Sequence, residues 1–408
     1  MKSASQQRWL KAEIIRGTKG DPAEPLKQGW RTRSKPGPKP MENASVSQEE
    51  YDSAIIQDSG TGSYRNPGRV CLDRSWRMMK PIDFVVTWVD GNDPDWFREK
   101  MKYQGIDITS GNAENRFRDW GTFRYWFRGV EKFAPWVNRV FLITCGHYPE
   151  WLNIEHPKLR LVRHADYMPA ECLPTFNSNA IQMFLHRIPD LSEQFVLFDD
   201  DFFLTAATTP EDFFVNGVPC DEALLESINC TDPKDIFPHM MLNNSAVINK
   251  HFQKKEVLRR HFSKFINLKY GKDNIRTLLM LPLKYFSGFK DMHLPGSYRK
   301  TDMQILWDAE PESLMRTGKN KFRALDDVTI WLMKNWRICN GDFVPRSTKW
   351  GKKYELGIDG DVYQAIKTGR WKAICVNDGI PDIDFNMEKK KLCEAFEVLL
   401  PGKSSFEI

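Results

Sequence analysis

Three consecutive aspartates, Asp199–Asp201, interrupt the apolar stretch QFVLFDDDFFL near the middle of this 408-residue chain. The residues before them, Val196–Phe198, have the pattern of a buried strand, and a second apolar run, Phe202–Leu204, follows at once. Carboxylates that leave water cost several kcal/mol each unless a counter-charge lies nearby. This acidic run (Asp199–Asp201) therefore predicts a strand that ends in a solvated turn, a bound metal ion or a site for a basic substrate.

Strand-like and helix-like patterns alternate around the acidic run. Strand patterns occur at IDFVVTWV, RVFLIT, LRLVRH and QFVLFDD, and helix patterns occur at TFRYWFRGVEKFAPW and NSNAIQMFLHRIPDLS. This order predicts an α/β fold with a Rossmann-like, mostly parallel sheet, flanking helices and a helical, basic insertion. Ligands of such sheets bind beyond the carboxyl ends of the strands. Asp90-Gly91 and the acidic run both follow strands, so their placement favours a ligand site over a solvated turn.

The chain divides into three regions by composition. Residues 1–78 are polar, contain the turn-forming segments KPGPKP and DSGTGSYRNPG, and predict a flexible N-terminal tail. The strand and helix patterns begin after this tail and predict one folded domain over residues 79–385. Residues 386–408 predict a C-terminal helix and tail.

Composition excludes several classes of protein. A net charge of +5 is too small for a protein that coats nucleic acid, so no nucleic-acid partner is predicted. The eight cysteines form no C-x-x-C pair, which argues against a zinc site and against a disulfide framework. No apolar run in the sequence approaches the roughly 20 residues that cross a bilayer. These features predict a cytoplasmic protein with reduced thiols.

One segment, residues 250–290, is strongly basic and aromatic. The simpler interpretation is a pair of amphipathic helices with solvated lysines and arginines. The alternative is a surface for an anionic polymer or for a membrane. A membrane surface would put the protein in peripheral contact with the cytoplasmic face of the inner membrane.

Two motifs could bring the backbone close to a ligand, and each also has a purely structural interpretation. TWVDGND places Asp90, Gly91 and Asn92 after a strand, either for close approach to a ligand or as an ordinary Asp-Gly turn. LPTFNSNAI predicts a helix that begins at Asn177 or Ser178. The first N–H groups of that helix could bind a phosphate, or the two side chains could simply cap it.

Charged side chains supply further candidates. Arg124 and Arg128 share one face of a predicted helix. They could bind a phosphate as a bidentate pair, or they could simply form a solvated flank of the helix. The carboxylates of the acidic run are hard ligands suited to Mg²⁺ or Mn²⁺, which bridge substrate phosphates. His293, in DMHLPGSYRK, stands alone, and a lone histidine is more often structural than catalytic.

These motifs resemble the Stealth family. IDFVVTWVDGND, the segment from RFRDWG to EWLN and the segment from LPTFNSNAI to FDDDFF are similar, in order, to its first two conserved regions. MHLPGSYRK with KFRALDDV resembles the third region, and ICVNDG resembles the fourth, so the likeness spans roughly residues 82–380. The family contains bacterial capsular-polysaccharide hexose-1-phosphate transferases and the animal N-acetylglucosamine-1-phosphotransferase that marks lysosomal enzymes.

The resemblance implies a phosphotransferase domain that moves a sugar-1-phosphate from a UDP-sugar to a hydroxyl of a glycan acceptor in capsular or cell-surface polysaccharide synthesis. It implies Asp201, His293 and Arg323 as catalytic residues, and we assign Mg²⁺ or Mn²⁺ to Asp200, Asp201 and Asp327. The predicted donor-binding residues are Thr87, Trp88, Asp90, Gly91, Asn92, Arg118, Arg124, Asn177, Ser178, Asn377 and Asp378.

The sequence departs from the family's pattern at two positions and leaves two rival functions open. The family usually has asparagine at the position of Asp199 and glutamate at the position of Gln182, so the roles of these two residues are open. One rival is a metal-dependent D-x-D glycosyltransferase that releases UDP. The other is a non-catalytic polysaccharide-binding protein, which the tryptophans and the basic segment would suit.

Overall fold

A computed structural model of the chain describes residues 80–104, 119–378 and 383–408. The predicted N-terminal tail and Arg118 lie outside the described residues. The strands are β1 (Ile82–Thr87), β2 (Val140–Thr144), β3 (Leu159–Arg163), β4 (Gln194–Phe198), β5 (Phe202–Leu204), β6 (Phe214–Val215), β7 (Val218–Asp221), β8 (Gly296–Arg299), β9 (Val344–Pro345), β10 (Gly351–Glu355) and β11 (Ala373–Asn377). The α-helices are α1 (Pro94–Tyr103), α2 (Phe123–Phe133), α3 (Ser178–Met183), α4 (Ile236–His251), α5 (Lys254–Phe265), α6 (Asp273–Met280), α7 (Lys300–Ala309), α8 (Pro311–Lys319), α9 (Trp331–Asn340), α10 (Val362–Thr368) and α11 (Phe385–Leu399).

The central sheet has the strand order β3-β2-β1-β4-β8. β1 lies parallel to β2 and to β4, and β2 lies parallel to β3, whereas β8 is antiparallel to β4. β1, β2 and β4 are apolar runs that are buried on both faces, as parallel strands covered by helices should be. The prediction of an α/β fold with a mostly parallel sheet and flanking helices is confirmed.

A second sheet, with the order β10-β11-β5, meets the central sheet at the acidic run. β5 begins after the three aspartates and pairs antiparallel with β11, which places Phe202 opposite Cys375. The Val376 N–H donates a 2.9 Å hydrogen bond to the Asp201 carbonyl. The acidic run therefore forms the junction between two sheets, and a short third sheet has the order β6-β7-β9.

The core lies on both faces of the central sheet because the side chains of β1 alternate. Phe84 and Val86 pack on one face with α2 and α11, and Val85 packs on the other face with α3, α7 and α9. Gly129 lets α2 approach β5 closely, since a Cβ atom there would stand 2.9 Å from the Leu204 carbonyl oxygen. The segment after α11 packs onto the first of these clusters through Leu400 and Phe406.

One predicted helix is shorter in the structure, and the basic segment agrees with its simpler interpretation. The helix predicted from NSNAIQMFLHRIPDLS is only the six-residue α3, followed by a 3₁₀ turn over Leu185–Arg187. Phe184, between the two, leaves the helical conformation and packs against Trp307, at 5.1 Å between ring centroids. The basic segment forms two helices, α5 and α6, as predicted. None of the helices in the described ranges is long and apolar enough to span a bilayer.

Candidate active site

A cavity of about 560 Å³ opens at one edge of the central sheet. Because β1 and β4 are parallel neighbours, Thr87 at the end of β1 and Asp199 after β4 reach the same edge. β8 runs antiparallel to β4, so His293, which precedes it, reaches that edge as well. The cavity has the size of a small-molecule site and lies where α/β sheets bind ligands.

The wall of the cavity is rich in negative charge. Among the described residues that line it are six aspartates and two basic side chains, namely Asp119, Asp199, Asp200, Asp201, Asp235 and Asp378 with Arg323 and Lys353. The Asp200 side chain is exposed to the cavity, but the surrounding protein still removes much of its bulk water. This desolvation, followed by the charge of Asp199, raises the pKa of Asp200 to about 7. Burial and the charges of Asp199 and Asp200 raise the pKa of Asp201 well above its usual range. The acidic run therefore concentrates negative charge that the protein neutralises only in part.

Asp199 is held by side chains from two other elements. Gln182 of α3 donates a 2.9 Å hydrogen bond to Asp199 Oδ1, and Thr87 Oγ1 lies 3.5 Å from the same oxygen. Burial raises the pKa of Asp199, while the charge of Arg323 opposes this effect. Asp199 and Gln182, the two positions at which the resemblance implies a departure from the family's pattern, are therefore in direct contact.

Asp201, His293 and Cys375 converge at the junction of the two sheets. The Cys375 thiol lies 3.3 Å from Asp201 Oδ2, and one ligand atom from each of the three residues lies within 4.8 Å of the others. Such a group of oxygen, nitrogen and sulfur atoms could hold a metal ion. The structure thus brings two of the predicted catalytic residues together and adds a thiol beside them.

The loop that carries His293 is tightly held. His293 has a backbone φ of 52°, in the left-handed region that side chains other than glycine rarely adopt. Its N–H donates a 2.6 Å hydrogen bond to Asp291 Oδ1, and Asp291 Oδ2 in turn accepts one from Lys334 Nζ at 3.2 Å. Its ring meets Phe202 and Trp331 edge-on, with centroids 5.2 and 5.6 Å apart. A strained residue that is fixed in this way and lines a cavity suits a functional role.

Arg323 enters the cavity from the loop between α8 and α9. Its guanidinium donates a 2.6 Å hydrogen bond to Ser178 Oγ at the start of α3. Both side chains line the cavity, and the charge of Arg323 acts on Asp199. The structure therefore places the predicted arginine where it could meet an anionic group of a ligand.

Asp327 is a structural carboxylate, which corrects its assignment as a metal ligand. It is fully buried behind the cavity wall, and its oxygens accept hydrogen bonds from amide groups at 2.8 to 3.2 Å. The donors are Asn177, Asn179, Asn320 and the Ala324 N–H. Asn177 is buried as well and caps α3, so it is not a donor-binding residue either. This network instead fixes the Arg323 loop onto α3.

The Asp90-Gly91 motif forms the ordinary turn rather than a ligand contact. The Asp90 carboxylate accepts a 2.9 Å hydrogen bond from the Asn92 N–H, and the Asp90 N–H donates to His147 Nε2 at 2.9 Å. Asp90, Gly91 and Asn92 lie outside the lining of the cavity. The chain therefore lines the cavity at Thr87, Trp88 and Val89 and turns away from it at Asp90.

The arginine pair on α2 is not a phosphate clamp. The Arg124 guanidinium lies over the Trp151 ring, 5.6 Å from its centroid, and does not line the cavity. Arg128 is buried and pairs with Glu407 at 2.8 Å and with Glu397 at 3.1 Å. These contacts attach the C-terminal segment to α2, which is a structural role.

The remaining predicted donor-binding residues lie on the cavity wall. Thr87, Trp88, Ser178, Asn377 and Asp378 all line it, so their role stays a prediction that the geometry permits. Trp88 is stacked on Phe123 with an interplanar angle of 3° and is therefore rigid. Other aromatic side chains of the described wall include Trp96, Trp120, Phe176, Phe237 and Trp331.

The residue-by-residue reasoning missed Cys375 and Asp291. A partial signal for Cys375 existed, because ICVNDG has a strand pattern in which Cys375 and Asn377 point to the same side. No local signal marks Asp291, whose importance depends on its contact with Lys334, 43 residues away in the sequence.

Comparison with known proteins finds matching family regions and close sequence relatives. The Stealth protein CR1 region matches residues 80–107, and the Stealth protein CR2 region matches residues 116–220. A capsular polysaccharide phosphotransferase, WcwK of Streptococcus pneumoniae, is 42% identical over 332 residues, which cover 81% of this chain and 98% of that protein. The exopolysaccharide phosphotransferase cps2G of Lactiplantibacillus plantarum is 41% identical and covers 80% of this chain and 96% of its own.

Further similarities differ widely in strength. The receptor polysaccharide phosphotransferase WefC of Streptococcus gordonii is 41% identical over 337 residues, which cover 81% of this chain and all of that protein. A solved structure of the galactosyltransferase LgtC with donor and acceptor sugar analogues has a TM-score of 0.33 and 12% identity, over 79% of this chain and 98% of that one. That likeness is too weak to carry an argument, whereas the sequence relatives are close and nearly full-length. The chain belongs to the Stealth family and is a phosphotransferase.

Proposed function

We propose that this phosphotransferase moves a sugar-1-phosphate from a UDP-sugar to a hydroxyl of a glycan acceptor in capsular or cell-surface polysaccharide synthesis. The acceptor oxygen attacks the phosphorus that bears the sugar, the bond from this phosphorus to the oxygen shared with the second phosphorus breaks, and UMP leaves. The product is a phosphodiester between sugar and acceptor. The observation that carries the proposal is the acid-lined cavity on which His293 and Arg323 converge. The reaction takes place on the cytoplasmic side of the membrane.

Two side chains supply the positioning and proton transfer that the reaction needs. Phosphoryl transfer depends mainly on alignment and charge neutralisation. Arg323, anchored on Ser178, presents a planar guanidinium to the phosphoryl oxygens. His293 accepts the proton of the attacking hydroxyl, because a neutral imidazole is a side chain suited to general-base catalysis.

The acidic run fits a divalent cation. Its carboxylates are crowded, and their raised pKa values show how poorly the described side chains balance their charge. Oxygen ligands of this type suit Mg²⁺ or Mn²⁺, so we assign the cation to Asp200 and Asp201. When bound, it supplies the positive charge that neutralises the diphosphate of the donor. We do not assign Cys375 to the cation, because its thiol is a soft ligand. Its role is to hold Asp201 through a hydrogen bond.

The aromatic side chains of the wall suit the rings of the donor. Trp88, stacked on Phe123, offers a fixed face, and base or sugar rings pack on such faces. Asn377 and Asp378 lie at the end of β11 and bring polar groups to the same cavity. We therefore place the donor across the ends of β1 and β11.

The test is to incubate the full chain with a panel of UDP-sugars, Mg²⁺ and capsule oligosaccharides, and to identify the nucleotide and the glycan product. UMP together with a phosphodiester is the expected result. UDP together with a glycoside would make the protein a glycosyltransferase. Binding of oligosaccharide without any nucleotide product would make it a binding protein. For variants that remove one carboxylate from the cavity, Asp308→Asn is the matched control, because it removes a carboxylate at an exposed position on α7.

A further inference from the structure

The helix α6 exposes its apolar side chains instead of burying them. Ile275, Leu278 and Leu279 are 61%, 46% and 68% exposed, at the spacing that places side chains on one face of a helix. Thr277 is the buried residue of α6, and its Oγ1 accepts a 3.1 Å hydrogen bond from the Leu225 N–H. The helix is therefore fixed to the domain by its polar side and turns its apolar side to the solvent.

Exposed apolar side chains also flank α6 in the sequence. Leu268 is 98% exposed, and Leu283 and Tyr285 are 45% and 57% exposed. The turn that carries Leu268 is tied to α6, because the Asn267 N–H donates to Asn274 Oδ1 at 3.0 Å and Asn274 Nδ2 donates back to the Asn267 carbonyl at 2.7 Å. Single exposed apolar residues are ordinary, but a group held in place like this marks an interaction site. We call it the α6 surface: Leu268, Ile275, Leu278, Leu279, Leu283 and Tyr285.

The charge around the α6 surface is strongly positive. Residues 254–290 contain ten lysines and arginines but only two acidic residues, a net charge of +8. The whole chain carries +5, so the rest of the sequence is net negative. Exposed basic side chains stand within and beside the α6 surface, namely Lys269, Lys272, Arg276 and Lys284.

We propose that the α6 surface binds an anionic lipid bilayer, with α6 lying in the plane of the interface. Apolar side chains flanked by lysine and arginine are the composition that seats a helix among lipid head groups. A soluble anionic polymer would need the basic residues but not the exposed leucines. The negatively charged cavity lies elsewhere, so these basic residues are not required to hold the reactants. Binding to lipid needs no substrate, and its test is independent of the proposed function.

The experiment is co-sedimentation of the full chain with vesicles of phosphatidylcholine, with and without phosphatidylglycerol. The protein should sediment with the anionic vesicles and remain in solution with the neutral ones, and added salt should weaken the binding. The affinity of the double variant Ile275→Gln/Leu279→Gln for the anionic vesicles should be lower by a factor of about ten or more. Its circular dichroism and its turnover of soluble substrates should match the wild type.

A matched control removes equally exposed apolar side chains elsewhere. Ile305 on α7 and Val398 on α11 are 52% and 62% exposed, and Ile305→Gln/Val398→Gln should bind vesicles like the wild type. The proposal is overturned if the wild type does not bind anionic vesicles, or if the two double variants bind these vesicles equally well. Self-association that only Ile275→Gln/Leu279→Gln abolishes, without any loss of lipid binding, would assign the surface to a second copy and also overturn it.

Discussion

Two groups of clustered acids in this molecule differ in how their negative charge is balanced. In the acidic run, burial and mutual repulsion raise the pKa of Asp200 to about 7 and that of Asp201 well above its usual range. At the end of β7, burial would also raise the pKa of Asp221, but the charge of Arg337, followed by that of Lys334, brings it below the usual range. Both groups lie at strand ends, so secondary structure does not explain the difference. The two groups differ in the number of positively charged side chains that the protein places beside the acids.

The second group, which we call the ion cluster, carries its counter-charge within the fold. It consists of Asp221, Glu222, Asp291, Lys334, Arg337 and Arg346. Lys334 and Arg337 stand three residues apart on α9 and therefore face the same side of that helix. The cations of the ion cluster hold that part of the structure together. We propose instead that the acidic run, whose charge is balanced only in part, holds a charged ligand.

The two groups meet at His293. Asp291 of the ion cluster accepts a hydrogen bond from the His293 backbone N–H. A ring nitrogen of His293 and a carboxylate oxygen of Asp201 lie within 4.8 Å of each other. The neutralised cluster thus holds a side chain that lies beside the acidic run. Variants in each group should separate these two roles.

Asp201→Asn should cause the largest loss of activity. It removes one charge from the proposed cation site and should lower kcat by about 10³-fold. The fold should be as stable as the wild type or more so, because one of three repelling carboxylates is gone. Steady-state UMP release and thermal unfolding measure the two effects, with Asp308→Asn as the control. If the wild type retained full turnover in excess EDTA, the reaction would not need a divalent cation at Asp200 and Asp201.

His293→Gln should lower kcat by about 10²-fold or more, since glutamine can accept a hydrogen bond but cannot take a proton. The affinity for the UDP-sugar should change little. In the wild type, kcat should fall at acidic pH as the histidine becomes protonated, and this acid limb should be absent from the variant. A variant that retains its rate and its acid limb would leave His293 as loop architecture only.

Asp221→Asn should damage stability instead of chemistry. It leaves Arg337 and Lys334 without one buried partner, which typically costs about 3 kcal/mol. Urea unfolding should show this loss, while kcat per folded molecule stays near the wild-type value. A variant that unfolds like the wild type would show that the ion cluster does not depend on Asp221.

The comparison also shows what the sequence could reveal. Strand ends and the acidic run are local patterns, so the fold was predictable from the alternating strand and helix patterns, and the position of the site was predictable from Asp199–Asp201 at the end of one strand. The partners of these acids are not local. Cys375 meets Asp201 across 174 residues, and Asn177 meets Asp327 across 150, so the thiol was missed and Asp327 was misassigned. The sequence shows where charge gathers, but only the tertiary structure shows whether a cation from the same chain reaches it.

Exchanging the two residues in contact at Asp199 should reveal a coupled pair. Gln182→Glu alone puts a second carboxylate where an amide now lies 2.9 Å from Asp199, and Asp199→Asn alone removes the charge. Each single variant should lower kcat about tenfold, and the double variant should recover most of the activity because one carboxylate and one amide remain. Additive losses in the double-mutant cycle would show that the two residues act separately.

The smallest effect is a dependence of stability on pH that has opposite signs in the two groups. The folded-state pKa of Asp200 is about 7 against 3.8 when unfolded, so the folded protein binds more protons between these values and its stability falls as pH rises through them. Asp221 has a lowered pKa, so its contribution is present above pH 3.8 and is lost as pH falls below it. Burial lowers the pKa of His164 and His186 to about 4, which makes stability fall as pH drops below 6.5. These histidines oppose Asp200, and the wild-type profile therefore mixes both effects.

The difference between the wild type and Asp200→Asn cancels the histidines, because both proteins contain them. In the absence of divalent cations, the variant should gain stability over the wild type as pH rises from 5 to 7.5, when Asp200 would otherwise become charged. Excess Mg²⁺ should reduce that gain, since a bound cation stabilises the charged wild type. Chemical denaturation at several pH values measures both differences. A difference that does not vary with pH would mean that Asp200 is already neutralised by the protein, and the contrast between the two groups would then apply to Asp201 alone.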